Sequence, residues 1–222
     1  MPAGYRIQGT KRGVLSDDAR TNTATKNGEV DGRTARRDRN RDAAIDALID
    51  LIEAGDMFPT MADIADRSGV SHRSVFRYFE HREELFGQAV QRAFGRYAPL
   101  TAIRSYGRGP FDDRVQALVD QRLILYAAIA PVARAVKLRP HLSEPFTNVV
   151  GSGFAPLRAQ LEVQFAPELE QRSEGDRDHL VSALDVMLSF DGYELLTHAQ
   201  GRPVDEVGRV WRTGIIAIIG GG

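Results

Sequence analysis

Apolar residues recur along most of the chain at intervals of three and four, the period of an α-helix. In residues 40–54 this spacing predicts an amphipathic helix that ends at Gly55, with a buried stripe of Ile45, Leu48, Ile49 and Ile52. A longer helix is predicted to start at residues 81–84, and Pro131 is predicted to begin a short one. Further helices are predicted over residues 112–130, 143–165, 178–199 and 204–219. The pattern therefore predicts an all-α fold.

Two short helices are predicted between Thr60 and Phe79. Thr60, with Asp63 three residues later, fits the start of the first helix, where a hydroxyl accepts from an unpaired backbone N–H. Gly69 fits its end, where a left-handed residue is common. Ser71 can cap the second helix. Two short helices joined by a tight glycine-containing turn are typical of a helix-turn-helix.

The second of these helices, residues 71–79, has two faces. Val75 and Phe79 are predicted to face a core, with Phe76 beside them. The other side chains are hydrogen-bond donors: His72, Arg73, Ser74, Arg77 and Tyr78. Such a helix suits the reading of DNA, which needs donors for phosphates and base edges on a rigid backbone.

The same stretch resembles the helix-turn-helix of the TetR/AcrR family of bacterial transcriptional regulators. The matching pieces are Ile64-Ala65, Ser68-Gly69-Val70-Ser71, Phe76-Arg77-Tyr78-Phe79 and Arg82-Glu83-Glu84-Leu85. Two positions depart from the family pattern. Phe76 stands where the family usually has Tyr, which removes a hydroxyl, and Arg82 replaces the usual Lys and keeps its charge.

The resemblance implies an N-terminal three-helix DNA-binding domain joined by a helix to a C-terminal ligand-binding and dimerisation domain. Pro99 and the segment 105–110 interrupt the helical pattern and predict the boundary. We therefore expect a disordered polar tail over 1–32, a DNA-binding domain with a basic arm over 33–97, and an effector-binding and dimerisation domain over 98–222.

Candidate DNA contacts follow from the donors and from the family positions. We expect His72, Arg73 and Ser74 to contact bases, with Arg73 on guanine. The resemblance implies phosphate contacts for Thr60, Tyr78 and Arg82, while Arg77 can do either. The remaining candidates are the helix residues Ser71 and Phe76 and the arm residues Arg36, Arg37 and Arg39. For the arm, a solvated tail is the alternative.

The C-terminal half contains two further candidate sites. The last two helices carry apolar stripes that fit a four-helix bundle with a second copy, although they also fit an ordinary core. The predicted interface residues are Leu184, Leu188, Leu195, Val207, Trp211, Ile215 and Ile218. A ligand pocket with aromatic walls and few polar anchors is predicted from residue type, each member having plain core or surface as its alternative. Its candidates are Arg122, Tyr126, Phe146, Phe154, Met187, Asp191 and Tyr193.

Composition narrows the functional classes. The chain has 222 residues, a net charge of −1, 42% hydrophobic residues and no cysteine, as in a globular protein of the cytoplasm. Its five histidines lack metal-binding spacing, and no phosphate loop or nucleophile elbow is present. No apolar run reaches membrane-spanning length. We therefore expect no enzyme activity, no cofactor, no metal and no membrane contact.

The sequence as a whole favours a homodimeric regulator that binds a near-palindromic operator. A repressor released by a small, largely apolar ligand is the leading hypothesis. An activator or a ligand-independent regulator is an alternative. A helical small-molecule-binding bundle with an incidental helix-turn-helix is a second alternative, from a different class of protein.

Overall fold

A computed structural model describes the backbone of residues 18–139 and 155–220, and the side chains in these ranges from residue 32 onward. Every regular element in these ranges is helical, which confirms the all-α prediction. The helices are α1 (Asp18–Glu53), α2 (Met61–Ser68), α3 (His72–Tyr78), α4 (Arg82–Tyr97), α5 (Phe111–Lys137), α6 (residues 155–164), α7 (Ala166–Leu169), α8 (Glu174–Met187), α9 (Phe190–Glu194) and α10 (Val204–Ile219).

Helix α1 is longer than the sequence predicts. It begins at Asp18, so residues 18–32 are helical where we expected a disordered tail. No proline interrupts residues 18–53, and a helix once formed gains one backbone hydrogen bond for each residue added. Residues 1–17 of the predicted tail lie outside the described residues. Contacts between residues divide the chain into two units, residues 1–42 and residues 43–222, and the boundary between them falls within α1.

Within residues 43–222, one hydrophobic core gathers α2, α3, α4 and the second half of α1. Its centre is formed by side chains that are almost fully buried: Ile49, Ile52, Ile64, Val75, Phe79, Leu85 and Ala89. Val132 and Ala135 of α5 also belong to this core. The C-terminal half of α5 therefore supports the helix-turn-helix directly.

A second core lies among α5, α6, α8, α9 and α10. Its largest buried side chains are Tyr126, Phe165, Leu184 and Trp211. Among the described residues, α5 is the one helix long and apolar enough to cross a membrane, but more than half of its most apolar stretch is buried inside the protein. We interpret α5 as a core helix shared by the two cores. The predicted domain boundary near residue 97 stays a prediction.

Two helix boundaries differ from those expected. Helix α5 continues through Pro131, where the sequence predicts the start of a new helix. Packing of Val132 and Ala135 on one core and of Ile129 on the other outweighs the backbone hydrogen bond that proline cannot make. The predicted helix 178–199 is interrupted after α8, because Ser189 caps α9 by accepting from the backbone N–H of Gly192.

Candidate functional site: a helix-turn-helix and an apolar cavity

The turn between α2 and α3 has the geometry that its sequence predicts. Gly69 has φ 68° and ψ 12°, the left-handed conformation that glycine adopts without steric cost. Val70 follows it and is buried against the core. Ser71 caps α3 by accepting from the backbone N–H of Ser74, and its hydroxyl donates to Ser74 Oγ at 2.9 Å. These local interactions fix α3 relative to α2.

Thr60 and Asp63 form a reciprocal capping box at the start of α2. The backbone N–H and the hydroxyl of Thr60 donate to Asp63 Oδ2 at 2.7 and 2.6 Å, and the N–H of Asp63 donates back to Thr60 Oγ1 at 3.2 Å. The hydroxyl and then the backbone N–H of Thr60 hold the pKa of Asp63 below its usual value. The Thr60 hydroxyl is thus engaged within the protein, and its phosphate contact stays a prediction.

Two aromatic residues of α3 have the opposite orientations to those predicted. Tyr78 is 8% exposed and lies on the core side with Val75 and Phe79, whereas Phe76 is 55% exposed. Both expectations were wrong because 100° per residue places position 78 closer to Val75 than position 76. The Tyr78 hydroxyl accepts from Arg77 Nη2 at 3.4 Å instead of pointing freely to solvent.

The exposed face of α3 combines aromatic and cationic groups. The rings of His72 and Phe76 meet edge to face, with centroids 4.7 Å apart. Arg73 and Arg77 lie on the side of the helix opposite Val75, and the Arg77 guanidinium covers the Tyr78 ring at 5.3 Å. This surface can offer donors to guanine and to phosphates, and an apolar edge to a thymine methyl group.

Arg82 and the basic arm supply further positive charge. Arg82 is exposed, and its Nη2 donates to the carbonyl oxygen of Pro59 at 2.7 Å, which ties the start of α4 to the start of α2. The arm residues lie on α1, and Arg36, Arg37 and Arg39 are exposed. Helical spacing places Arg36 and Arg37 on one face with Arg33 and Arg41, while Arg39 points away from them.

A cavity of about 660 Å³ lies among α4, α5, α6, α8 and α9. Its walls are mostly apolar, and α5 contributes residues from Tyr126 to Lys137. One wall comes from α4, which contributes Val90, Ala93, Phe94 and Tyr97. The available signal was the breadth of the apolar stripe on α4, which exceeds what packing on one side requires.

The structure brings only part of the predicted pocket together. Tyr126 and Asp191 line the cavity. Arg122, Met187 and Tyr193 do not: Met187 packs against Gly214, where an added Cβ would lie 2.3 Å from its sulfur, and Tyr193 packs against Phe190 and Trp211. Phe146 and Phe154 lie outside the described residues.

Arg122 is buried behind the cavity wall. Its Nη1 donates to Gln160 Oε1 at 2.7 Å and to Gln121 Oε1 at 2.5 Å, and its Nη2 donates to the carbonyl oxygen of Leu157 at 2.8 Å. All three acceptors are neutral. Burial lowers the pKa of Arg122, opposed by the neighbouring Tyr126 and Asp185. Arg122 is therefore a structural cation of the core.

Tyr126 is the aromatic side chain that joins the cavity to the second core. Its hydroxyl donates to the carbonyl oxygen of Leu188 at 2.8 Å, and its ring meets Trp211 edge to face at 6.1 Å. Burial raises the pKa of Tyr126 to about 12. This residue therefore stays neutral at physiological pH.

The predicted interface for a second copy needs correction. Leu184, Leu188, Val207, Trp211 and Ile215 are buried inside the core of a single chain, so they cannot present a surface to a partner. Their stripes are the faces that α8 and α10 turn into the second core, where α10 packs against both α5 and α8. Ile218 is partly buried in the same core, and Leu195 is 55% exposed. The exposed large apolar residues on α8 and α10 are Val186, Val204 and Ile216.

Comparisons with known proteins agree with this geometry. Residues 44–89 match the family described as bacterial regulatory proteins, tetR family. No curated protein matches the sequence. A solved tetR-family transcriptional regulator from Streptomyces coelicolor superposes with a TM-score of 0.63 at 19% identity, covering 82% of this chain and 80% of that one. A transcriptional regulator from Rhodococcus sp. Rha1 gives 0.61 at 18% identity, covering 83% and 96%.

The sequence match and the structural similarity point to the same class of protein. The match begins at the buried half of α1 and ends in α4, so it contains the whole helix-turn-helix. The superposed structures share the fold of the helices beyond it. These findings support a DNA-binding transcriptional regulator. The resemblance is thereby confirmed: residues 44–89 are a TetR-family helix-turn-helix domain, carried on a chain with the fold of TetR-family regulators.

Proposed function

We propose that this protein is a homodimeric repressor that binds a near-palindromic operator in the cytoplasm and is released from it by a small ligand. The single observation that carries the proposal is the position of α4, which packs in the core of the helix-turn-helix and also forms a wall of the cavity. A ligand in the cavity touches the same helix that holds α3 in place.

Recognition of DNA rests on the exposed face of α3. Arg73 reads guanine, Phe76 contacts a thymine methyl group, and Arg77 and Arg82 hold phosphates. A single seven-residue helix offers few base contacts, so a specific site requires two of them. In a symmetric dimer, two recognition helices enter successive major grooves whose centres lie roughly 34–36 Å apart.

The dimer forms through the outer faces of the last helices. Val186 on α8 is 74% exposed, and Ile216 on α10 is 43% exposed. Leu195, which begins the π-helical segment directly after α9, is 55% exposed. Large apolar side chains are usually exposed together where a protein contacts a partner. A two-fold axis through this surface would pair each patch with its own copy.

Release follows from coupling between the cavity and α1. Tyr97 lines the cavity, and its hydroxyl donates to Glu53 Oε1 at 2.5 Å at the end of α1. Arg96 donates to the same oxygen at 3.0 Å. A ligand that displaces α4 changes these contacts and the separation of the two α3 helices. The ligand shifts the equilibrium between the DNA-bound and the DNA-free conformations only by the difference between its affinities for the two.

The experiment is a selection of random duplexes by the purified chain, followed by sequencing. We expect an inverted repeat whose half-sites are about one helical turn apart. Affinity for that repeat should fall steeply with salt, because neutralised phosphates release counterions. Folded protein that enriches no sequence would overturn the regulatory function. An enriched single half-site would retain DNA binding but reject the dimer.

A further inference from the structure

The polar groups that line the cavity are mostly satisfied by the protein itself. Lys137 forms an ion pair with Asp191, and the Arg158 guanidinium donates to Asp178 Oδ1 at 2.7 Å and to Ser182 Oγ at 3.2 Å. The Ser189 hydroxyl donates to the carbonyl oxygen of Val186 at 2.8 Å. Both cations on the wall therefore already have carboxylate partners.

Asp185 differs from the other charged groups on the wall. It lies on α8, one turn beyond Ser182 and on the same side of the helix as Asp178. In the part of the chain that the structure describes, its carboxylate has neither a hydrogen-bond donor nor an ion-pair partner. Arg122 interacts with it through space alone, because the Arg122 guanidinium donates its hydrogen bonds to the neutral oxygens of Gln121, Gln160 and Leu157. A half-buried carboxylate on an apolar wall gains free energy from any donor that reaches it.

We propose that the cavity binds an apolar molecule that carries one protonated amine, and that this amine pairs with Asp185. The inference rests on the proposed function, in which the cavity holds the releasing ligand. The volume of about 660 Å³ suits a ligand of drug-like size, and the apolar walls suit its body. An anionic ligand is disfavoured, since it would meet an unpaired carboxylate while both wall cations are already neutralised.

Three probes of equal chain length isolate the head group: decylamine, decanol and decanoate. Each is titrated into the full chain without DNA, with calorimetry as the readout. Fluorescence of the single tryptophan, Trp211, gives a second readout because its ring contacts Tyr126 on the cavity wall. We expect decylamine to bind roughly 10- to 100-fold more tightly than decanol, the range for a charge-assisted hydrogen bond. Decanoate should bind most weakly.

Asp185→Asn keeps the size of the side chain and removes its charge. We expect this variant to lose the preference for decylamine while its affinity for decanol is unchanged. Asp191→Asn is the matched control, because Asp191 also lines the cavity but is paired with Lys137. That variant should keep the preference for decylamine over decanol. Circular dichroism of both variants verifies that they fold.

Several results would overturn the proposal. They are equal affinity for decylamine and decanol, tighter binding of decanoate, a preference that survives in Asp185→Asn, or no binding of any probe. Because these titrations contain no DNA, they are independent of the operator selection. If the chain prefers decylamine but selects no operator, the amine site stands and the regulatory function is rejected. If it selects an operator but does not prefer decylamine, the regulatory function stands and the amine site is rejected.

Discussion

Arg139 donates a hydrogen bond from Nη2 to the carbonyl oxygen of Met57, at 2.7 Å. Its guanidinium also lies 4.0 Å from the centroid of the Phe86 ring and 5.0 Å from that of Phe58. Arg139 follows α5 by two residues, and Met57 lies in the loop that leads into α2. The C-terminal end of α5, where the cavity residue Lys137 lies, is thereby attached to the helix-turn-helix.

Arg139→Met should weaken this attachment. Methionine keeps an apolar stem but loses the hydrogen bonds to the carbonyl oxygens of Met57 and Ala135 and both cation–π contacts. We expect the free energy of unfolding to fall by about 1–3 kcal/mol. Urea denaturation measures the change. Arg108→Met is the control, since Arg108 is exposed and should change stability by less than about 0.5 kcal/mol. Equal effects of the two substitutions would show that the attachment to Met57 contributes nothing.

Arg73→Ala should reduce specificity at one or two operator positions. An arginine that pairs with guanine contributes about 1–3 kcal/mol of discrimination against the wrong base. Binding to an operator and to its single-base variants measures this quantity. Uniform weakening across all variants would instead make Arg73 a phosphate contact. Stability should not change, because Arg73 is exposed on α3.

Phe76→Ala should weaken binding to DNA and leave the fold intact. Phe76 is 55% exposed, so its truncation should change the free energy of unfolding by less than about 0.5 kcal/mol. Phe79→Ala, three residues away, is the contrast: Phe79 is 1% exposed, and its loss should cost about 3–5 kcal/mol. A large loss of stability in Phe76→Ala would show that its ring packs on the protein and not on DNA.

The helix-turn-helix could be predicted because its signals are local. Thr60, Asp63, Gly69 and Ser71 each act within four residues, and each adopts the conformation expected of it. The orientations of Phe76 and Tyr78 could also have been predicted from local geometry. At about 100° per residue, position 78 lies nearer to Val75 around the helix than position 76 does. The spacing of Val75, Tyr78 and Phe79 therefore favours Tyr78 as the buried ring.

The helices of the C-terminal half could be predicted from the sequence, but the sequence did not show which of their faces lie on the surface. The stripe containing Leu184, Val207 and Trp211 is apolar, and a buried face looks the same in sequence whether it meets its own chain or a second copy. The cavity was missed on its α4 side for a related reason, since Val90 and Phe94 serve as core and wall alike. Asp185 gave no local signal, because only the three-dimensional structure shows that it lacks a partner.

Ile216→Glu should abolish the proposed dimer without unfolding the chain. Ile216 lies on α10 and is 43% exposed, and in a two-fold interface one substitution places two like charges close together. Light scattering should report monomers at concentrations where the unsubstituted chain is a dimer. Val163→Glu on α6 is the matched control at 45% exposure and should leave the dimer unchanged. Trp211→Glu should unfold the chain instead, because its side chain is fully buried and a charge there has no partner. A dimer that persists in Ile216→Glu would place the interface on another surface.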